Sequence, residues 1–178
     1  MSFDVKRIVT DRTADGKSVF ANEGPAPADT VLGLEIHNIW GTGDGGPSVG
    51  AGNNSATVPF PFFPGPGGTR FIVVRFPPES AAAADGDPEA AVADAEQKQP
   101  GLVGVFEPDT PGMHTTDSID YGICVDGELF LELDDGAELH VTPGTCVVQR
   151  GTRHAWHNRG DRPCTMIYVL VGAERTAG

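Results

Sequence analysis

The chain has 178 residues and a formal net charge of −13, with a pI near 4.5, which is enough length for one domain with a sizeable core. Its acids are spread over turns and a middle segment, so phosphate backbones and anionic headgroups would repel it; nucleic acid and membrane are excluded as expected partners, and a small molecule is expected. Three cysteines, Cys124, Cys146 and Cys164, none in a CxxC pair, read as reduced, buried and structural, and no apolar signal region follows the N-terminus, so a cytoplasmic protein is expected.

In chain order, residues 4–10 and 17–21 flank an Asp15-Gly16 turn and read as a hairpin that pads a barrel edge. Residues 30–40 read as one strand that ends in a glycine-rich loop at 41–46. That loop lacks the Lys-Ser/Thr of a phosphate cradle and reads as a flexible connection. Residues 51–68 are rich in Asn, Pro, Gly and Phe, and their prolines keep them out of a central ladder. They complete an N-terminal extension, 1–68, and cover the barrel. Phe60, Phe62 and Phe63 would plug one end or a dimer contact, or else line a substrate lid.

Residues 69–78 are the clearest strand of this half, and period-two alternation puts Arg70 and Arg75 on opposite faces. An inward arginine can hold a ligand carboxylate; the other role is an outward salt bridge. Residues 79–100 form an acidic, Ala-rich surface insertion with a helix-permissive patch over 88–98. Residues 102–106 are expected to open the main β region, which runs over 101–172.

From residue 121 onward, short apolar runs recur at 121–125, 128–133, 138–141, 145–149, 155–158 and 165–171. They are punctuated by Asp126-Gly127, Asp134-Asp135-Gly136 and Thr142-Pro143-Gly144. Glycine accepts the positive φ of tight turns, so this is an antiparallel meander of the kind that builds a sandwich or barrel. No internal repeat is visible, and one barrel over 1–178 is expected.

Two stretches frame this meander. In the second, Gly151, His154 and Asn158 follow the spacing of a glycine, two residues, a histidine, three residues and an asparagine. In the first, His114, Thr116, Asp120 and Gly127 stand at the spacing of His-x-His, three residues, Glu, six residues and Gly, with Thr116 in place of the second histidine and Asp120 in place of the glutamate. Over roughly 100–172 the chain therefore resembles a cupin. The resemblance implies an all-β, jelly-roll-type antiparallel barrel, a site at the ends of the two motifs, and a homodimer.

A first-row metal wants imidazole and carboxylate ligands on neighbouring strands with positions left open. His114 and Asp120 are six residues apart and share a face on a continuous strand. The resemblance brings His154 in from the adjacent strand. His114, Asp120 and His154 are thus the expected catalytic and metal-binding set, with Gln149, five residues before His154 where the family usually has proline, as a further ligand or orienting group. Fe(II) is the expected metal, with Zn(II), Mn(II) or Ni(II) as alternatives. Thr116, Trp156, Arg70 and Tyr168 are expected to line the substrate pocket; His37, His140 and His157 read as surface or packing residues.

The expected function is a metal-dependent enzyme that acts on a small organic molecule by oxygenase-type chemistry. One alternative is a decarboxylase, cyclase or isomerase that uses His-Asp acid–base chemistry, without metal or assisted by one. The other is a ligand-binding barrel without turnover.

Overall fold

A computed structural model describes residues 4–50, 60–81 and 87–176. The fold is antiparallel and mostly β. Strands β1 (Lys6–Arg12) and β2 (Ser18–Pro25) form a two-stranded sheet of their own. Strands β3 (Ala28–Val31), β4 (Leu34–Thr42), β5 (Thr69–Phe76), β6 (Ser118–Asp126), β9 (Cys146–Arg150) and β11 (Cys164–Gly172) make a six-stranded sheet in the order β3-β4-β5-β11-β6-β9. Facing it is a three-stranded sheet, β10-β7-β8, from β7 (Leu129–Glu132), β8 (Glu138–Val141) and β10 (Ala155–His157). Consecutive strands β6 and β7 lie in different sheets, as do β8 and β9, the sheet-switching of a jelly roll.

Alternation decides what the sheets enclose. On β11, Cys164, Met166, Tyr168 and Leu170 are buried, while Ile167, Val169 and Val171 turn to the other face. On β6, Ser118, Asp120, Gly122 and Cys124 face inward. Val31, Ile36, Phe62, Ile72, Val74, Leu129, Val141, Met166 and Leu170 build one apolar core, against which Phe76, Phe106 and Trp156 pack. The outward row Phe71, Val169, Tyr121, Val148 runs in register across β5, β11, β6 and β9, with Phe71, Tyr121 and Val148 exposed.

Several elements differ from the sequence reading. The strand expected over 30–40 is a hairpin: Leu32 and Gly33 have φ of 51° and 80°, the positive values at both central positions that a tight turn between β3 and β4 requires. An apolar leucine in that turn hides it from a hydropathy reading. The strand expected over 102–106 is a 3₁₀ turn, Val103–Val105, because the Pro100-Gly101 bend (φ of 84° at Gly101) feeds a tight turn instead of an extended run. Phe106 retains a single bridge, to His114. Among the described residues the N-terminal hairpin hydrogen-bonds to no other sheet, and it lines a cleft of ≈ 860 Å³ together with Trp40, Phe71 and the 41–50 loop.

The insertion carries helix α1 (Pro88–Lys98), begun by the Asp87 side chain, which accepts from the Glu89 amide, with proline in the first turn. It lies against β3 through buried Ala95, and Lys98 Nζ donates to the Thr30 carbonyl. Of the aromatic cover, Phe62 enters the core, Phe63 packs on it edge to face, and Phe60 is exposed; 51–59 lie outside the described residues. Cys124 and Cys164 are buried and free, whereas Cys146, at the exposed start of β9, is not buried as expected. No described helix is long and apolar enough to cross a membrane.

Candidate active site

The two histidines meet because the backbone pairs them. His114 N donates to His154 O at 2.9 Å and His154 N donates to His114 O at 3.0 Å, an isolated antiparallel bridge beyond the start of β6. Their ring centroids are 4.1 Å apart. His114 Nδ1 lies 2.9 Å from Gly112 O and His154 Nδ1 lies 2.8 Å from Thr152 O. A carbonyl only accepts, so both Nδ1 atoms carry hydrogen, and in the neutral rings both Nε2 atoms keep a lone pair. Burial lowers the proton affinity of both rings; in His154 it does so first, His114 second, and the pKa falls to about 4. His154 is therefore neutral at pH 7, the form a metal ligand or a base requires.

Other residues hold this bridge in place. Arg153 grips Glu107 through Nε and Nη2 at 2.6 and 2.7 Å and reaches Asp134 at 2.9 Å, fixing the chain beside His154 to the chain before His114. Arg175 ties the two motifs together, its Nη2 donating to Thr116 O and Gly151 O and its Nε to Asp117. Neither pairing follows from sequence spacing, since the partners lie 19 to 59 residues apart. Asn158 holds the turn after β10, donating to Phe76 O and Arg162 O and accepting from Gly160 N.

Asp120 is placed differently. It is 6% exposed and faces the barrel interior, opposite Gln149 on β9 and Leu170 on β11. Desolvation raises its pKa to about 6, opposed by Ser118. Among the described residues, the group of three His, Cys, Asp or Glu with ligand atoms all within 4.8 Å is Glu132, Glu138 and His157; His114, Asp120 and His154 are not such a group. The even spacing of His114 and Asp120 presumed one continuous strand, yet β6 begins only at Ser118. The aspartate is also one methylene shorter than the glutamate of the motif.

The group that does cluster has its ligand atoms engaged. His157 is held between Glu79 and Glu132 at 2.8 and 2.7 Å, and Glu138 is paired with Arg159. It lies on the opposite strand face from Trp156. His37 pairs with Glu35, and His140 pairs with Glu128 and stacks on Phe130.

The residues expected to line a pocket divide. Trp156 stands between the histidines and the deeper barrel, 6.2 Å from His154 and 6.1 Å from Tyr168 by ring centroids. Tyr168 is buried, its ring lying across Gly122, where a Cβ would come within 2.8 Å of Cε1. Thr116 is buried and its hydroxyl accepts from Ser118 at 2.9 Å. Arg70 is buried as well, but Nη1 donates to the carbonyls of Thr42 and Thr69 and Nη2 to that of Pro61. Its fork clamps backbone in place of the expected ligand carboxylate. Arg75, on the outer face, pairs with Glu35 at 2.8 Å.

The family model "Cupin domain" matches residues 103–170. The "Phomopsin biosynthesis cluster protein C'" of Diaporthe leptostromiformis is 32% identical over 172 residues, spanning 94% of this chain and 78% of that protein. The "Cupin-domain-containing oxidoreductase virC" of Hypocrea virens is 42% identical over 62 residues, 33% of this chain and 32% of that protein. A solved "Cupin 2 conserved barrel domain protein" from Salinispora arenicola aligns over 83% of this chain and 82% of its own at 16% identity, with a TM-score of 0.43. With the jelly roll and both motif histidines in place, the chain belongs to the cupin superfamily.

Proposed function

We propose that this cupin is an enzyme acting on a small organic molecule by oxidoreductase-type chemistry, with a divalent transition metal at the His114–His154 pair. The observation that carries the reading is the shared anchoring of both Nδ1 atoms to carbonyls, which leaves the Nε2 atoms of two rings with centroids 4.1 Å apart as donors to a metal, His154 buried and His114 half-buried. Relatives named as oxidoreductases and as biosynthesis cluster proteins support the reaction class. The two imidazoles fit a metal, while Asp120 does not complete a three-ligand group with them within 4.8 Å.

Held there, a metal such as Fe(II) would supply Lewis acidity and redox capacity to a substrate oxygen. The chain does the rest. Gly112 and Thr152 carbonyls fix the ring tautomers, the Arg153–Glu107 and Arg175 pairings hold the bridge, and Trp156 offers an aromatic wall beside it. A homodimer is part of the proposal, with Phe71, Tyr121 and Val148 as the apolar surface it would cover.

A second reading is favoured by the separation of Asp120: acid–base chemistry without metal. In it His114 is the better base, because His154, with a pKa of about 4, holds a proton weakly at pH 7. Elemental analysis of the purified protein separates the two. The first reading expects close to one equivalent of transition metal, absent from His114→Ala and His154→Ala; a wild type that carries none and takes up none on reconstitution sinks it.

A further inference from the structure

Three side chains on neighbouring strands of the six-stranded sheet face the same interior: Gln149 on β9, Asp120 opposite it on β6, and Tyr168 on β11. They are 5%, 6% and 8% exposed, yet Gln149 Nε2, Asp120 Oδ1 and Tyr168 OH have no hydrogen-bond partner among the described residues. A buried polar atom left unpaired opposes folding, so three of them in one place call for a reason. Asp120 keeps one side-chain hydrogen bond, with Ser118, and the other buried unpaired atoms also belong to side chains with a second anchor. Arg7, Arg70, Arg75 and His37 are each anchored by a second nitrogen, to Asn22, to backbone carbonyls, and to Glu35 in the last two cases. Elsewhere buried polar side chains pair in relays, as from Asn38 through Gln99 to Asp29.

The surroundings give this trio a shape. Gly122 makes room for the tyrosine ring between β11 and β9, and Leu170 and Met166 wall the rest of the interior with apolar surface. Trp156 lies beside both His154 and Tyr168, by ring centroids 6.2 and 6.1 Å away. A small molecule bound to the trio would set one end against Asp120, Gln149 and Tyr168.

Donor and acceptor counting names that end. The Gln149 amide N–H and the Tyr168 O–H are donors, and Asp120 Oδ1 is an acceptor. A hydroxyl has two acceptor lone pairs and one O–H donor, the complement of that set. A carboxylate or phosphate offers only acceptors and would face Asp120 without a proton to give it. An alkyl end satisfies none of the three.

We infer that Asp120, Gln149 and Tyr168 form a hydroxyl-recognition subsite, and that the substrate is a neutral alcohol or phenol whose oxygen is bound there. The substrate part rests on the small-molecule enzyme proposed above; the subsite itself does not, since binding needs neither metal nor turnover. Asp120 then serves as a substrate partner and not as the third metal ligand.

The test is equilibrium binding of phenol, toluene and benzoate to the full chain without added metal, read by ligand-observed NMR. Phenol is expected to bind at least ~10-fold more tightly than toluene, because the methyl group leaves the three polar atoms unpaired, and benzoate is expected to bind more weakly than phenol. Asp120→Asn, Gln149→Leu and Tyr168→Phe should each reduce the preference for phenol over toluene, while His154→Ala, which removes the proposed metal site, should leave it in place. Tyr168→Phe removes an unpaired hydroxyl and should keep the thermal midpoint within a few degrees, which separates lost recognition from lost folding. Equal binding of phenol and toluene, no binding of phenol, benzoate binding as tightly as phenol, or a preference unchanged in all three variants would each overturn the subsite. Loss of metal in His154→Ala with the phenol preference intact would keep both assignments, whereas a metal-free wild type with that preference would end only the metal reading.

Discussion

The barrel encloses two polar regions that differ in how their atoms are satisfied. At the mouth, each imidazole has one nitrogen anchored to a backbone carbonyl and the other free. Asp120, Gln149 and Tyr168 sit on regular strands with polar atoms that meet no partner among the described residues. The mouth is oriented by hydrogen bonds and the interior by strand register. The difference teaches that motif spacing alone does not make a ligand set: the ligand atoms of His114, Asp120 and His154 do not all lie within 4.8 Å of one another.

Crowding the interior should have the largest effect on folding. Gly122→Val places a Cβ where 2.8 Å already separates it from the tyrosine ring, and adds two methyl groups. A loss of roughly 3 kcal/mol in urea unfolding is expected. A loss below about 0.5 kcal/mol would mean that Tyr168 does not lie across this strand.

Acidity separates the regions next. The Asp120 pKa rises from 3.8 to about 6 on folding, so between those values the folded state keeps a proton that the unfolded chain releases, and wild-type stability falls as pH rises through the window. In the metal-free protein His154 has the opposite sign. Its pKa falls from 6.5 to about 4, the unfolded chain binds the extra proton, and stability falls as pH drops through that window. Asp120→Asn should therefore be more stable than wild type above pH 7, by on the order of 2 kcal/mol, with the gain gone near pH 4. Denaturation midpoints across pH measure this; a gain that does not change with pH would show that burial of the charge is not its cause.

Much of the C-terminal half was legible in the sequence because its turns are chemical. Asp126-Gly127 and Asp134-Asp135-Gly136 announce themselves, and Gly127 has φ of 76° with a Cβ position only 2.6 Å from Pro163 O. The Leu32-Gly33 turn was not legible, since leucine at positive φ looks like strand interior. The placement of His114 near His154 follows the motif positions; that the strand carrying Asp120 starts only at Ser118 does not, because parity cannot reveal where β6 begins. Arg70 was readable as inward, but not as a clamp on three carbonyls supplied by β4, β5 and the proline-rich cover. Such partners are set by tertiary packing and leave no local pattern.

The account stands on the separation of the two regions, and metal affinity tests it most directly. Dissociation constants for Fe(II) or Zn(II) should be compared in wild type, His154→Ala and Asp120→Asn by anaerobic calorimetry. The prediction is a loss of about 100-fold or more in His154→Ala and a change within about 3-fold in Asp120→Asn, since only the imidazole loses a ligand atom. An Asp120→Asn variant that loses metal as completely as His154→Ala would place the carboxylate on the metal and contradict the division of the barrel into a metal-binding mouth and a substrate-binding interior.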